Sequence, residues 1–225
     1  MAKRRRPVSN PLALAVLASL RERPMHPYEM AATMRERGKE HSIKLNYGSL
    51  YTVVDNLARH GLIAAGEAHR EGRRPERTVY QLTEAGSAEL DDWMCELLAV
   101  PVKEYPQFEA ALSLMPVLPP GQVLTLLRDR VTALRKGIAE VRALLQAAAD
   151  AGLPRLVLIE GEYHLAMQEA EVAWVQDVVA ELGDGTFPGL EHWRAWHETG
   201  VWPDLKPDFS GGTAEAPTEG ETTTD

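Results

Sequence analysis

The chain has 225 residues, 44% of them hydrophobic, enough to bury a core in one large or two small domains. Its net charge of −9 is unevenly divided, with 15 Lys and Arg against 8 Asp and Glu in residues 1–83 and 9 against 25 in the remainder. A basic first third on an acidic protein points to one part that meets a polyanion and another that avoids it, which favours two domains. A lone cysteine, Cys95, excludes a disulfide within the chain and fits a reducing, cytoplasmic setting. No run approaches the roughly 20 apolar residues of a membrane span. The basic start and the short Ala-rich segment behind it, ending in Arg21-Glu22-Arg23, lack a persuasive secretion-signal cleavage site.

Residues 1–9 form a basic arm, with Lys3, Arg4, Arg5 and Arg6 either tracking DNA or keeping a terminus soluble. Asn10-Pro11 starts a first helix that runs to about Arg21, because an N-cap side chain is followed by a proline whose missing N–H costs nothing there. His26-Pro27 repeats the device for a short second helix, which Gly38 stops. Leu50, Val53, Val54 and Leu57 then recur at i, i+3, i+4 and i+7, the apolar stripe of a third helix closed by Gly61.

Two short strands follow, Leu62 to His69 and Arg77 to Leu82, the second with Thr78, Tyr80 and Leu82 turned inward. The charged segment between them carries Gly72 and Pro75, which predicts a turn with arginines at its tip. Thr83 caps a further helix bearing Leu90, Trp93, Met94, Leu97 and Leu98.

Three helices and an arginine-tipped hairpin are the layout of a winged helix-turn-helix over residues 10–90, in which the third helix enters the major groove of double-stranded DNA. The face opposite its apolar stripe carries Ser49, Thr52, Asp55, Asn56 and Arg59. Asn and Arg pair bidentately with adenine and guanine edges, so Asn56 and Arg59 are the base-reading candidates, while Ser49 and Thr52 suit phosphates. Arg70, Arg73, Arg74 and Arg77 on the two-stranded wing suit phosphates or a minor groove, and a solvated turn would look the same in sequence.

Beyond this the pattern is helical, making the whole chain mainly α, with a helical dimerisation and effector domain over residues 91–205. Leu124, Leu127, Val131, Leu134, Ile138, Val141 and Leu145 alternate at spacings of three and four, a coiled-coil seam that needs a partner helix from the same chain or from a second copy. Packing between chains is favoured in addition, because two half-sites about one DNA turn apart are read together by a symmetric pair. A second long helix follows Pro154, with Tyr163, Met167, Ala170, Trp174, Val178 and Leu182 on one stripe. Trp193, Trp196 and Trp202 fall in a stretch that folds back on these helices, and residues 206–225, dominated by Gly, Thr, Glu and Pro, are expected to form a disordered tail.

Tyr47-Gly48-Ser49-Leu50-Tyr51, Asn56-Leu57, Gly61-Leu62-Ile63, Arg74-Pro75, Tyr80-Gln81-Leu82-Thr83 and Gly86, taken in order, resemble the PadR family of bacterial transcriptional regulators across most of residues 12–90. Pro27-Tyr28-Glu29 is similar to the family's glycine-tyrosine-glutamate, with Pro27 in place of the glycine. The resemblance implies a homodimeric winged-helix protein, usually a repressor, with Tyr28, Tyr47 and Tyr51 at or near the DNA-facing surface. It also implies a response to a small, often aromatic effector, for which Trp93, Tyr163, Trp174 and Trp196 are the candidate pocket residues. Thr52 and Asn56 stand where the family often has proline and a basic residue, a departure that bears on operator identity.

Catalysis is not expected. His192 and His197 are five apart rather than the four that put two metal ligands on one helix face, and Glu160, Glu162 and His164 read as a solvated helix face. No cofactor or metal is expected. The alternative reading is an adaptor or ligand sensor that docks protein through its winged helix, against which the basic wing argues.

Overall fold

A computed structural model describes residue 6 and residues 8–66 and 78–201, and the chain divides into two compact units, Met1–Glu104 and Tyr105–Asp225. The first unit opens with α1 (Pro11–Glu22), whose first turn is capped by Asn10 accepting from the Leu12 N–H at 2.8 Å. In α2 (Pro27–Glu36) the His26 ring accepts from the Tyr28 N–H, and Glu29 reaches back to accept from the His26 N–H at 2.8 Å, so two otherwise orphaned donors are satisfied. Asn46 caps α3 (Tyr47–Arg59), which therefore begins three residues before its apolar stripe does.

Strands β1 (Ile63–Ala65) and β2 (Tyr80–Leu82) pair antiparallel, Ile63 opposite Leu82 and Ala65 opposite Tyr80, and Met25 bridges to Tyr80 through two backbone hydrogen bonds. Leu12, Val16 and Leu17 of α1, Met30 and Met34 of α2, Leu50, Val54 and Leu57 of α3, Ile63, and Leu90 and Trp93 of α4 (Glu84–Ala99) make one buried core. The inward alternation of the second strand holds at Tyr80 and Leu82, which pack on this core. It fails at Thr78, which is exposed two residues before the ladder begins. On α4 only Leu90 and Trp93 are buried, while Met94, Leu97 and Leu98 are exposed.

The start of α4 is locked to the turn that joins α3 to β1. Thr83 Oγ lies 2.8 and 2.9 Å from the Gly61 and Leu62 carbonyl oxygens, to which it donates, and accepts from the Gly86 N–H at 3.0 Å. The packing is close enough that a Cβ on Gly86 would sit 1.9 Å from the Leu62 carbonyl oxygen. Along its length α4 is held to α1 by Arg21, which bonds Asp91 at 2.5 Å and both Ser87 oxygens. Arg6 bonds Glu89, Asp92 and Glu96 and lies over the Trp93 ring. Burial opposes the Arg6 charge, but hydrogen bonds and attraction from these carboxylates outweigh it and raise its pKa above the ordinary value.

The second unit is helical: α5 (Gln107–Ser113), α6 (Pro120–Asp150), α7 (Arg155–Asp184) and α8 (Leu190–Thr199). α6 and α7 pack side by side and antiparallel. Leu145 meets Gly161, Gln168 lies near Gly137, and Arg130 pairs with Glu171. Val123, Leu127, Val131 and Ile138 of α6 are buried with Val172, Val175, Val178 and Leu182 of α7 and with Leu190 and Trp193 of α8. No described helix is long and apolar enough to cross a membrane.

Two stripes expected from the sequence can be placed here. Leu127, Val131 and Ile138 of the coiled-coil seam are buried, and Leu124, Leu134, Val141 and Leu145 half-buried, within one chain. α7 of the same chain is therefore one partner of the seam, whose half-buried positions keep part of their surface exposed. The stripe expected on α7 is also split. Val178 and Leu182 join the core, whereas Tyr163, Met167, Ala170 and Trp174 are exposed, because it is the face carrying Val172 and Val175 that turns inward.

Candidate nucleic-acid interface

The apolar side of α3 is fully spent on the core, with Leu50, Val53, Val54 and Leu57 buried, so its polar side is fixed outward. Ser49, Thr52, Asp55 and Arg59 are exposed and Asn56 is half-buried. Three of these side chains are already engaged. Thr52 Oγ donates back to the Gly48 carbonyl at 3.0 Å, leaving its lone pairs for a donor, and Arg59 donates to Asn56 Oδ1 at 2.9 Å. The second contact leaves the Asn56 amide N–H groups and the remaining Arg59 donors pointing from one preorganised pair.

Beside the start of α3 the three tyrosines form an aromatic edge. Tyr28, Tyr47 and Tyr51 are 55%, 41% and 45% exposed, unusual values for large rings that a core could have taken. Tyr28 and Tyr47 stack with centroids 6.2 Å apart and planes within 13°. Arg35 completes the row: its guanidinium lies 4.4 Å from the Tyr47 ring centroid, donates to the Tyr47 hydroxyl at 2.5 Å, and has Glu40 only at 3.9 Å. A guanidinium stacked on a ring keeps its charge and part of its donor edge available for an anion while losing rotamer freedom. Sequence reading passed over Arg35, although Tyr28 and Arg35, seven residues apart on α2, were bound to share a face.

Arg70, Arg73, Arg74 and Arg77 lie outside the described residues, as do Lys3, Arg4 and Arg5. Arg6 is described, and its guanidinium is committed to carboxylates of α4.

Of the four residues expected to line an effector pocket, one lies in the first unit and three in the second. Trp93 is buried in the core of the first unit, Tyr163 and Trp174 are exposed on α7 three turns apart, and Trp196 is half-buried on α8 against His197. Helical spacing placed apolar rings but not the faces they would take. Among the described residues no group of three or more His, Cys, Asp and Glu could hold a metal ion.

Residues 16–92 match the transcriptional regulator PadR-like family. The fold is similar to solved structures spanning nearly the whole of the matched proteins. Bacillus subtilis PadR in complex with operator DNA aligns with a TM-score of 0.61 at 19% identity, over 78% of this chain and 99% of that one. The same protein in complex with p-coumaric acid gives 0.58 at 17%, over 76% and 98%. The Vibrio cholerae virulence activator AphA gives 0.58 at 21%, over 77% and 98%. No curated protein matches the chain in sequence.

Proposed function

We propose that this chain, whose residues 16–92 match the transcriptional regulator PadR-like family, is a homodimeric repressor that reads an operator in double-stranded DNA and answers to a small effector. The observation that carries the DNA half is the outward face of α3, where the Asn56–Arg59 pair stands beside the Tyr28–Tyr47–Arg35 row. The first suits base edges and the second suits the sugar-phosphate backbone, so one surface combines sequence reading with positioning. A basic first 83 residues on an acidic chain adds long-range attraction to that end of the protein. Bacillus subtilis PadR with operator DNA is the structural precedent for this mode.

In this reading Asn56 and Arg59 contact bases, Ser49, Thr52 and the three tyrosines contact the backbone, and Arg70, Arg73, Arg74 and Arg77 add a wing contribution. Repression is the default because a dimer seated on a promoter obstructs polymerase with no further contact surface. Dimerisation falls to the apolar stripe that α7 leaves open, Leu156, Tyr163, Met167 and Trp174, at spacings of seven, four and seven.

Fluorescence anisotropy of labelled DNA from the protein's own promoter, with scrambled competitor and at two salt concentrations, tests this. Asn56→Ala should cost about 1 to 3 kcal/mol on the specific site alone. Arg73→Ala with Arg74→Ala should weaken binding to every sequence and flatten the salt dependence. Equal affinity of the wild type for promoter and scrambled DNA, with and without candidate effectors, would refute the proposal.

A further inference from the structure

The second unit contains a cavity of about 200 Å³ between α5 and α6. Its wall is apolar, with Phe108, Leu112, Met115, Val123 and Leu127 among its residues, and Arg130 is the one charged side chain on the lining. The cavity is a groove half open to solvent, with Ala111, Leu118 and Leu126 of its wall exposed, so it leaves apolar wall facing water. Its shape is held from below. The turn from Met115 to Leu118 that floors it is held from behind by α8: Trp193 Nε1 donates to the Pro116 and Leu118 carbonyls at 3.1 and 2.9 Å, and His197 Nε2 lies 2.9 Å from the Pro116 carbonyl oxygen. α5, in turn, buries none of its residues, so it covers α6 without being drawn down onto it.

The charge at the rim limits what can enter. Arg130 is flat on the Phe108 ring, 3.5 Å from its centroid, and its Nε donates to Glu171 at 2.6 Å while a second guanidinium nitrogen pairs with the same carboxylate. Its positive charge is therefore already matched. A carboxylate ligand would have to displace Glu171 or sit uncompensated against apolar wall, and both are unfavourable. A neutral apolar molecule faces neither cost. As to size, an apolar cavity of about 150 Å³ accepts benzene, so this one suits a single substituted ring or a short branched hydrocarbon.

We propose that the α5–α6 cavity binds a neutral, ring-sized apolar molecule and discriminates against its carboxylate analogue through the Arg130–Glu171 pair. This gives the effector of the preceding section a site and a chemical class, and it rests on that half of the reading. Its failure leaves DNA binding, measured on the same sample by anisotropy, unaffected.

The test uses the full chain and two fluorine NMR probes of matched shape, 4-fluorotoluene and 4-fluorobenzoate. Saturable broadening of 4-fluorotoluene is expected, accompanied by a change in tryptophan emission from Trp193 behind the floor, with 4-fluorobenzoate at least about tenfold weaker. Ala111→Phe, which fills the cavity from α5, should abolish binding; Leu112→Trp serves if that variant does not fold. Glu171→Gln frees the Arg130 charge and should raise 4-fluorobenzoate affinity several-fold. Equal affinity for the two probes, no saturable binding, or binding indifferent to both filling substitutions would overturn the proposal. So would binding that appears only on dilution into a smaller oligomer, since a second copy would then be the occupant of the cavity.

Discussion

At Tyr47 two roles meet on one side chain. Its ring stacks on Tyr28 and carries the Arg35 guanidinium, while its hydroxyl accepts from that same arginine. If Arg35 is a backbone contact, Arg35→Ala should weaken binding to specific and scrambled DNA alike. It should also reduce the slope of log affinity against log salt by about 0.9, the release of about one counterion. Tyr47→Leu should produce much of the same loss with Arg35 still present, and the double variant should be little worse than either. Additive losses in that cycle would show that the stack does not position the arginine. The polar face of α3 was readable in sequence because only its apolar residues recur at helical spacing. The stack was not, because it joins two helices and depends on how α2 crosses α3.

Between elements, the contrast of two glycines separates rigid packing from adaptable packing. At Gly86 the neighbour of an added methyl is the Leu62 backbone carbonyl at 1.9 Å, and backbone in a three-way lock with Thr83 cannot retreat. Gly86→Ala should lower thermal stability of the first unit by several kcal/mol, read from the helical signal on heating. At Gly161 the neighbour is the tip of Leu145, 2.8 Å away, on a half-buried side chain with other rotamers. Gly161→Ala should be close to neutral, since Ala is favoured over Gly by about 1 kcal/mol inside a helix. An equal loss from both substitutions would contradict this distinction. The same level shows why element starts were legible and partners were not. Asn10-Pro11, His26-Pro27 and Thr83 announce their helices through local capping chemistry. The seven-residue seam of α6 announces a partner without saying which, and the next helix of its own chain took it.

For the molecule as a whole, two properties lead to measurable behaviour. The open stripe of α7 leaves Tyr163 and Trp174 in water, and replacing both with Glu should yield a monomer by sedimentation while leaving helix content unchanged. A dimer that persists would move the interface elsewhere. Acid should act through exposed ion pairs as well as net charge. Hydrogen bonds from Arg37 to Glu22 and from Arg21 to Asp91 hold both carboxyls below their ordinary values of 4.5 and 3.8. The folded state then binds fewer protons than the unfolded chain, so this stabilisation is present above the ordinary carboxylate range and is lost as pH falls through it. Denaturant midpoints should therefore fall below about pH 4.5, and Asp91→Asn should make that fall shallower. The measurement belongs away from the isoelectric point near 5.3, where vanishing net charge promotes association.

The lock at Thr83 also has a mechanical meaning. α4 has 16 residues, a rod of about 24 Å at 1.5 Å per residue, fixed at its first turn to the turn that follows α3. A joint with no slack passes rotation on undiminished, so tilting this rod by about 10° moves its far end about 4 Å. Read in the other direction, a shift of that size imposed near Ala99 re-aims α3 by the same angle. The stiffness set by one hydroxyl and one missing methyl group makes α4 a lever whose short arm is the reading face.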